Sequence, residues 1–309
     1  MEASFHKLGP GSRVAVASPS SAIVDRAAFR AGIRALSERY EVSVPPEVFR
    51  VKGFLAGTDR SRLRTLVAAI GDASTAAIFA ARGGHGSTRL LASIDWEEWY
   101  RRRIPIVGFS DVTAIQMAAL ALAGVSTVHG PTVTSLARQP RAYLAHLFRL
   151  LEDPSYDFAA PPCRLRSLRQ GRVTGNLVGG NLTMLDQLAG TAFLPDLSGC
   201  VLFVEDVGEA PYRVDRMLVH LRNAGILDRI AGVLVGDFTA CRPRKDGVTV
   251  DDVLEEHART LRIPFAAGMP SGHGRRNWAF LQGAVVDMKC GQRGERATLM
   301  PVGRTEASP

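Results

Sequence analysis

Three residues that lie far apart in the chain could together perform nucleophilic catalysis: Ser110, Glu205 and His273. A serine hydroxyl attacks a carbonyl carbon when a neighbouring base takes its proton, and a third group orients that base. Each of the three residues stands at the end of a short apolar run or in the loop that follows one. Together they make up a complete set of nucleophile, orienting acid and base.

Ser110 stands in the stretch "PIVGFSD", where an apolar run ends and the helical pattern "VTAIQMAALALAG" begins. Ligands of open α/β sheets bind beyond the carboxyl ends of the strands, and the N-terminus of a helix favours negative charge. This position would expose the hydroxyl and provide backbone N–H donors for the oxyanion that its attack creates. Capping of the helix is the alternative role for Ser110.

Two acids, Glu205 and Asp206, end the apolar run "VLFVEDV". A carboxylate at the end of a buried strand is costly unless it is paired or functional. We expect that Glu205 could orient a histidine and that Asp206 could pair with Arg213 or Arg216. A structural salt bridge is the alternative role for these acids.

The sequence offers two candidate bases. His273 lies between glycines in the polar loop "GMPSGHGRRN", which suits a general base because its neighbours crowd the ring little. His129, in "STVHGPT", is the rival and could instead be structural. A further loop, "ARGGHGS" at 81–87, contains Gly83 and Gly84, whose backbone could approach a ligand closely and present N–H groups.

The arrangement of these loops depends on the elements between them. Strand and helix patterns alternate over residues 1–150, which predicts a parallel sheet covered on both faces. Residues 151–172 are rich in proline, acids and arginine without periodicity, and we interpret them as a linker. Residues 173–309 mix short apolar strands with helices, which predicts a smaller second α/β domain with a mixed sheet that carries Glu205 and His273.

Composition limits the functional classes. The 309 residues include 46% hydrophobic and 22% charged residues, with a formal net charge of +8. The arginines are scattered and no nucleic-acid motif occurs, so the basic balance favours an anionic substrate or an arginine-rich genomic bias over nucleic acid. The four cysteines form no CxxC pair, which makes a zinc site of the usual spacing improbable. No signal peptide or membrane-spanning run is recognisable, so we expect a soluble cytoplasmic protein.

The sequence resembles the LD-carboxypeptidase family of serine peptidases, which includes the microcin immunity peptidases. The stretches that carry the resemblance are "VAVASPSS", "ARGGHGSTRLL", "IVGFSDVTAI", "HGP", "GNLVGGNLTML", "GCVLFVEDVGEAPYRVDRMLVHLRNAGIL" and "GMPSGHGRRN". The resemblance extends over almost the whole chain, and its most specific part is "FVEDVGEAPYRVDRML". It implies a flavodoxin-like N-terminal domain, a C-terminal α/β domain of different topology, an active site between them, and a homodimer.

By this resemblance Ser110 is the nucleophile, Glu205 the triad acid and His273 the base. The backbone N–H of Asp111 and one N–H from the turn of Gly83 and Gly84 would form the oxyanion hole. No metal ion and no cofactor are implied. The substrate implied is a cytoplasmic muropeptide tetrapeptide, cut before its terminal D-Ala during peptidoglycan recycling.

A carboxypeptidase must also bind a free carboxylate, for which Arg82, Arg275 and Arg276 are candidates because a guanidinium matches a carboxylate. We also expect His85 to contact the substrate, although the family usually carries tyrosine at this position. Two alternatives remain: a microcin-type immunity peptidase that cleaves a peptidyl-nucleotide amide, and a non-catalytic ligand-binding protein on the same scaffold. The immunity peptidases are usually longer and carry an extra aromatic loop. This chain has no such insertion between residues 205 and 273, which favours the recycling enzyme over the immunity peptidase.

Overall fold

The protein has an α/β fold, and the computed structural model describes its residues 5–153, 156 and 160–302. Its strands form two sheets. In chain order the strands are β1 (Arg13–Ala17), β2 (Glu41–Ser43), β3 (Thr75–Ala80), β4 (Ile106–Gly108), β5 (Val128–His129), β6 (Leu165–Arg169), β7 (Gly171–Asn181), β8 (Val201–Val207), β9 (Gly232–Thr239), β10 (Phe265–Ala267), β11 (Phe280–Leu281), β12 (Ala284–Cys290) and β13 (Arg296–Pro301).

Helices connect most of the parallel strands. They are α1 (Arg26–Ser37), α2 (Asp59–Gly71), α3 (Trp96–Arg102), α4 (Thr113–Ala123), α5 (Val133–Leu136), α6 (Arg141–Glu152), α7 (Leu182–Leu188), α8 (Pro211–Asn223) and α9 (Val250–Leu261), with short 3-10 helices at Pro46–Phe49, Ser87–Ser93 and Ser110–Val112. Several begin at a side chain that accepts a backbone hydrogen bond, as Asp25 does in α1 and Thr249 does in α9. Such caps satisfy N–H groups that have no partner inside the helix.

The first sheet has the strand order β11-β5-β4-β3-β1-β2. Strands β1 to β5 are parallel in the order 2-1-3-4-5 found in flavodoxin-like folds. The loops after β1, β3 and β4 therefore leave the same edge of the sheet. The strand order reverses between β1 and β3, and such a switch point is the usual place for a ligand in this architecture.

The second sheet closes into a barrel in the order β10-β6-β13-β12-β7-β8-β9. Strands β7 to β10 pair in parallel, and the other neighbours pair antiparallel. The expected mixture of parallel and antiparallel pairs is therefore present, but the sheet is not open. Closure of the barrel removes exposed strand edges. The hydrophobic pattern of a single strand does not show whether its sheet is closed.

The segment 151–172, interpreted from the sequence as a linker, is not a linker throughout. It contains strand β6, which belongs to the barrel, while residues 154, 155 and 157–159 lie outside the described residues. The chain also returns to the first sheet, because β11 pairs antiparallel with β5. The two apolar clusters of the core each draw residues from both sides of this segment. The division at 1–150 and 173–309 remains a prediction.

Helix α4 places the candidate nucleophile. Its residues are almost all buried, as expected for a helix that is apolar all round. It contacts α3, α7 and β7, and it ends at Gly124, which has a left-handed backbone. The 3-10 helix Ser110–Val112 leads directly into it, so a rigid buried helix fixes the turn that carries Ser110.

Among the described residues no helix combines the length and apolar character needed to cross a bilayer.

Candidate active site

Ser110 occupies a strained turn between strand β4 and helix α4. Its φ angle is 64°, in the left-handed region that few residues other than glycine adopt. A conformation of this kind costs roughly 1–3 kcal/mol and persists where the surrounding structure imposes it, often at functional sites. The residue is partly exposed and lines a cavity of about 310 Å³. The turn therefore exposes the Ser110 hydroxyl, as is required of a serine nucleophile at a sharp strand-to-helix turn.

Glu205 and His273 form a hydrogen-bonded pair beside this cavity. Glu205 Oε2 lies 2.7 Å from His273 Nδ1, and the glutamate side chain is fully buried while that of His273 is 16% exposed. A β-carbon on Gly272, whose φ is +122°, would lie 2.5 Å from Glu205 Oε2, so glycine is required there for the loop to pass this close. Because Nδ1 is engaged by Glu205, Nε2 remains available to exchange a proton with a substrate or nucleophile.

Ser110 and His273 line the same cavity. Within the described part of the chain no hydrogen bond joins the Ser110 hydroxyl to the His273 ring. Catalytic hydrogen bonds are often long in a ligand-free site and shorten in the substrate complex. The structure thus places Ser110 and His273 in one cavity, with the buried Glu205 hydrogen-bonded to His273.

The buried pair has shifted protonation equilibria. Burial lowers the pKa of His273, but the hydrogen bond and the negative charge of Glu205 outweigh it, and Asp206 and Asp237 act in the same direction. The net effect raises the pKa of His273 above its ordinary value. Burial raises the pKa of Glu205, and the hydrogen bond and positive charge of His273 oppose this rise. A protonated His273 next to Glu205 is therefore stabilised, as the imidazolium of a triad needs to be.

His129, the rival base, lies in a closed aromatic environment. Its ring stacks on Phe280 with centroids 4.9 Å apart and meets the edge of Phe203 at 5.1 Å. It is fully buried, neither ring nitrogen has a hydrogen-bond partner in the described structure, and burial lowers the pKa of His129 to about 3. Phe109 has its ring 4.8 Å from that of His273 and 6.1 Å from that of His129. His129 is therefore a neutral packing residue behind the cavity.

The glycine loop lies directly against the candidate nucleophile. Gly83 and Gly84 line the cavity with Ser110. The backbone N–H of His85 donates to the Ser21 hydroxyl at 3.0 Å, which attaches this loop to the one after β1. Backbone N–H groups at such a loop and at the start of a helix can stabilise developing negative charge. The position suits the predicted oxyanion role of Gly83, Gly84 and Asp111.

The candidate substrate-binding residues are distributed over two neighbouring cavities. Arg82 lines the cavity of Ser110, and its Nη1 donates to the carbonyl of Ala22 at 2.9 Å. Arg275 and Arg276 line a second cavity of about 520 Å³, together with Asp237. Burial raises the pKa of Asp237, although a backbone hydrogen bond from the histidine loop and nearby cations oppose the shift.

His85 is exposed, packs its ring against Phe54 at 5.4 Å, and is not among the residues that line the cavity of Ser110.

The expectation that Asp206 pairs with Arg213 or Arg216 is wrong. Asp206 instead accepts hydrogen bonds from Asn181, Thr183 and the backbone of Val207, because it is buried at the end of β8 where the start of α7 supplies donors.

Sequence reasoning missed one wall of the cavity. This wall follows β5 and consists of Thr132, Thr134, Ser135 and Arg138. Arg138 also lines the second cavity, so it lies where the two meet. The hydroxyl-rich run "TVTSLAR" after a buried strand is the signal that could have found it.

Within the described residues, no group of three or more histidine, cysteine, aspartate or glutamate side chains could hold a metal ion.

Solved structures share this fold. A muramoyltetrapeptide carboxypeptidase from Oxalobacter formigenes superposes with a TM-score of 0.80 at 29% identity, covering 95% of this chain and all of that one (100%). An MccF-like protein from Bacillus anthracis superposes with a TM-score of 0.85, covering 96% of this chain and 99% of that one. At 22% identity the second similarity shows the fold alone.

Sequence relatives extend the comparison. A protein of Synechocystis sp., provisionally named a carboxypeptidase, is 37% identical over 286 residues, 91% of this chain and 92% of the relative. A murein tetrapeptide carboxypeptidase of Pseudomonas aeruginosa is 33% identical over 248 residues, 76% of this chain and 80% of the relative. Residues 14–130 match the LD-carboxypeptidase N-terminal domain and residues 174–288 the LD-carboxypeptidase C-terminal domain. The chain therefore belongs to the LD-carboxypeptidase family of peptidases.

Proposed function

We propose that the protein is a serine LD-carboxypeptidase that removes the terminal D-Ala from muropeptide tetrapeptides. The observation that carries the proposal is the strained turn of Ser110 in the same cavity as a histidine whose Nδ1 is held by Glu205. Membership of the family supports a peptidase, and the 33% identical Pseudomonas aeruginosa relative is named a murein tetrapeptide carboxypeptidase. Release of D-Ala in peptidoglycan recycling is the physiological role we infer, in a cytoplasmic homodimer.

The proposed reaction has two halves. His273 takes the proton of the Ser110 hydroxyl, and the oxygen attacks the carbonyl carbon of the third residue of the peptide. The oxyanion accepts hydrogen bonds from the N–H of Asp111 and from an N–H of the Gly83–Gly84 turn. The C–N bond then breaks, and His273 gives its proton to the departing amine of D-Ala.

Water completes the cycle. It loses a proton to His273 as it attacks the acyl-enzyme ester, and the same proton returns to the oxygen of Ser110 when the ester bond breaks. Glu205 fixes the tautomer of His273 and stabilises the imidazolium formed in each half. The groups present thus account for both proton transfers.

Arg82 is the residue we assign to the terminal carboxylate of the substrate. It shares the cavity with Ser110, and among the described residues no carboxylate forms an ion pair with it. Its Nη1 is anchored to a backbone carbonyl, which holds the guanidinium in place and leaves other N–H groups for a ligand. Arg138, the other arginine of this cavity, already pairs with Asp25 at 2.8 Å.

The second cavity suits the side chain of the third residue. It contains the cations Arg275 and Arg276 and the acid Asp237, so it offers partners to both a carboxylate and an ammonium group. We infer that a third residue whose side chain carries both groups, such as diaminopimelate, is preferred over lysine, which carries the ammonium alone.

Mass spectrometry of products from a tetrapeptide panel tests the proposal. The panel varies the third residue and replaces the terminal D-Ala by L-Ala, and each peptide is incubated with the wild type and with Ser110→Ala. Release of D-Ala by the wild type alone is expected. No release from any peptide, or equal release by Ser110→Ala, would contradict the proposal. A peptidyl-nucleotide amide in the same panel tests the microcin-type alternative, and binding without turnover would favour a non-catalytic ligand-binding protein.

A further inference from the structure

The buried carboxylate of Asp111 connects the nucleophile turn to the glycine loop. Asp111 is 2% exposed. Its Oδ2 accepts the N–H of Ser87 at 2.8 Å, and its Oδ1 accepts the N–H of Gly86 at 3.2 Å. In the opposite direction the Ser87 hydroxyl donates to the carbonyl oxygen of Asp111 at 2.5 Å. Three hydrogen bonds thus join the two loops that carry the predicted oxyanion donors.

The carboxylate is held by backbone donors and not by a counter-ion. In the described ranges no lysine, arginine or histidine forms an ion pair with Asp111. Burial of a charge is costly unless hydrogen bonds compensate for it, and such bonds are stronger than those between neutral groups. The two N–H groups that bind the carboxylate stand at the start of the 3-10 helix Ser87–Ser93 and would otherwise lack partners in that helix.

The carbonyl oxygen of Gly86 is held as well, by Arg62. Arg62, which is fully buried, donates from Nη1 to the carbonyl of Gly86 at 2.9 Å and to the carbonyl of Pro19. Its Nη2 donates to Asp59 Oδ1 at 2.6 Å. A loop of three glycines would otherwise sample many conformations. Hydrogen bonds to the N–H groups of Gly86 and Ser87 and to the carbonyl of Gly86 reduce this freedom.

We propose that Asp111 is a positioning residue whose hydrogen bonds to Gly86 and Ser87 set the distance between the glycine loop and Ser110. The residue immediately before it is the nucleophile, and its own N–H is one predicted oxyanion donor. The other predicted donor, at Gly83 or Gly84, lies two or three positions before the Gly86 amide that the carboxylate holds. The inference rests on the proposed function, because it concerns the oxyanion of that reaction.

Asp111→Asn is the test, with Asp252→Asn as the matched control. Asparagine has nearly the same shape but only one acceptor atom, so its NH2 group opposes one of the two loop amides. Asp252 also accepts backbone and hydroxyl hydrogen bonds at a helix start, that of α9, but it does not line the cavity. Loss of one oxyanion donor lowers kcat by roughly 100–1,000-fold, and we expect displaced donors to lower turnover by up to that factor.

The measurement is kcat per active site, with active sites counted by a serine-reactive fluorophosphonate label. We expect Asp111→Asn to lose turnover with little change in KM and with an unmoved pH profile. Its affinity for a boronic acid analogue of the third residue should fall in proportion, because that adduct occupies the oxyanion hole. Asp252→Asn should match the wild type in every measurement. A purely structural role would lower the number of labelled sites but not the turnover of each.

Ser87→Ala is the second variant, in case Asp111→Asn does not fold. It removes only the hydroxyl bond to the Asp111 carbonyl, and we expect a smaller loss with the same unchanged KM. Wild-type turnover per site in either variant would overturn the inference. An inactive wild type would instead refute the proposed function, so the two failures are distinguishable.

Discussion

Gly83 contacts Ser110 so closely that a β-carbon at position 83 would lie 2.7 Å from the Ser110 β-carbon and 2.8 Å from its hydroxyl oxygen. The two residues follow different strands of the parallel sheet, β3 and β4, which are neighbours. A glycine at the first position therefore allows the backbone of one loop to lie against the hydroxyl that follows the next strand. This contact is the structural basis of the predicted oxyanion hole.

Gly83→Ala should abolish most of the activity while the protein remains folded. The added methyl group must displace the Ser110 side chain or the loop, and a misplacement of about 1 Å can cost roughly 100-fold in rate. The change is measured as kcat/KM for release of D-Ala, with the melting temperature as the check on folding. Gly71→Ala is the control, since a β-carbon there meets nothing within 4 Å. A Gly83→Ala variant with wild-type kcat/KM would show that the contact has no role in catalysis.

The pH dependence of kcat/KM should report the His273–Glu205 pair. His273 must be neutral to act as a base, and its pKa is raised above the ordinary value of 6.5. Activity is therefore expected to fall as the pH decreases through a value above 6.5. In Glu205→Gln the raising effect of the carboxylate is lost and burial, which lowers the pKa of His273, remains. The fall should then move to lower pH, with a plateau reduced by roughly 10⁴-fold.

Glu255→Gln is the control for the pH experiment. Glu255 forms ion pairs with Arg166 and Arg293 and does not line the cavity of Ser110. Its removal should leave both the plateau and the position of the fall unchanged. A Glu205→Gln profile that keeps the wild-type midpoint would show that another group governs the acid side of the profile.

The strain at Ser110 predicts an unusual order of stability between two inactive variants. Because φ is 64° there, glycine relieves the strain and alanine retains it. Ser110→Gly should have the higher free energy of unfolding, by about 1 kcal/mol. At Ser37, the last residue of α1, alanine should instead be the more stabilising replacement. Urea unfolding of the four variants measures this, and an alanine preference at both positions would contradict a strained turn.

Local patterns in the sequence account for much of the architecture. The apolar runs before Ser110, Gly83 and Glu205 correspond to strands β4, β3 and β8, and the apolar segment after Ser110 forms the buried helix α4. Barrel closure, the pairing of β11 with the first sheet and the position of β6 depend on which strands pair over long distances. Alternation within one strand gives no information about its partner.

For the candidate site as well, local sequence patterns were informative and long-range contacts could not be predicted. Residue type and strand-end position made Ser110, Glu205 and His273 candidates, with His129 as a rival base, and the family resemblance assigned their roles. The contacts of buried polar groups were not predictable in this way: Asp111 holds a loop 24 residues earlier in the chain, and Asp206 bonds to the start of α7. Such partners depend on the packing of whole elements. The hydroxyl groups after β5 could have been recognised, since they also follow the end of a parallel strand.

Replacement of Arg82 by alanine should impair recognition of the substrate carboxylate more than the chemical step. A charge-assisted pair between a guanidinium and a carboxylate is stronger than a neutral hydrogen bond, so we expect KM for the tetrapeptide to rise by roughly 10-fold or more, with a smaller change in kcat. The wild type should discriminate against a tetrapeptide whose terminal carboxylate is an amide, and Arg82→Ala should lose most of that discrimination. Arg172→Ala, which removes an exposed arginine paired with Asp287, is the control and should retain the discrimination. Initial rates with the acid and amide peptides measure both quantities. If Arg82→Ala still discriminates as the wild type does, the carboxylate is bound elsewhere, and Arg138 would be the next residue to test because it lines the same cavity.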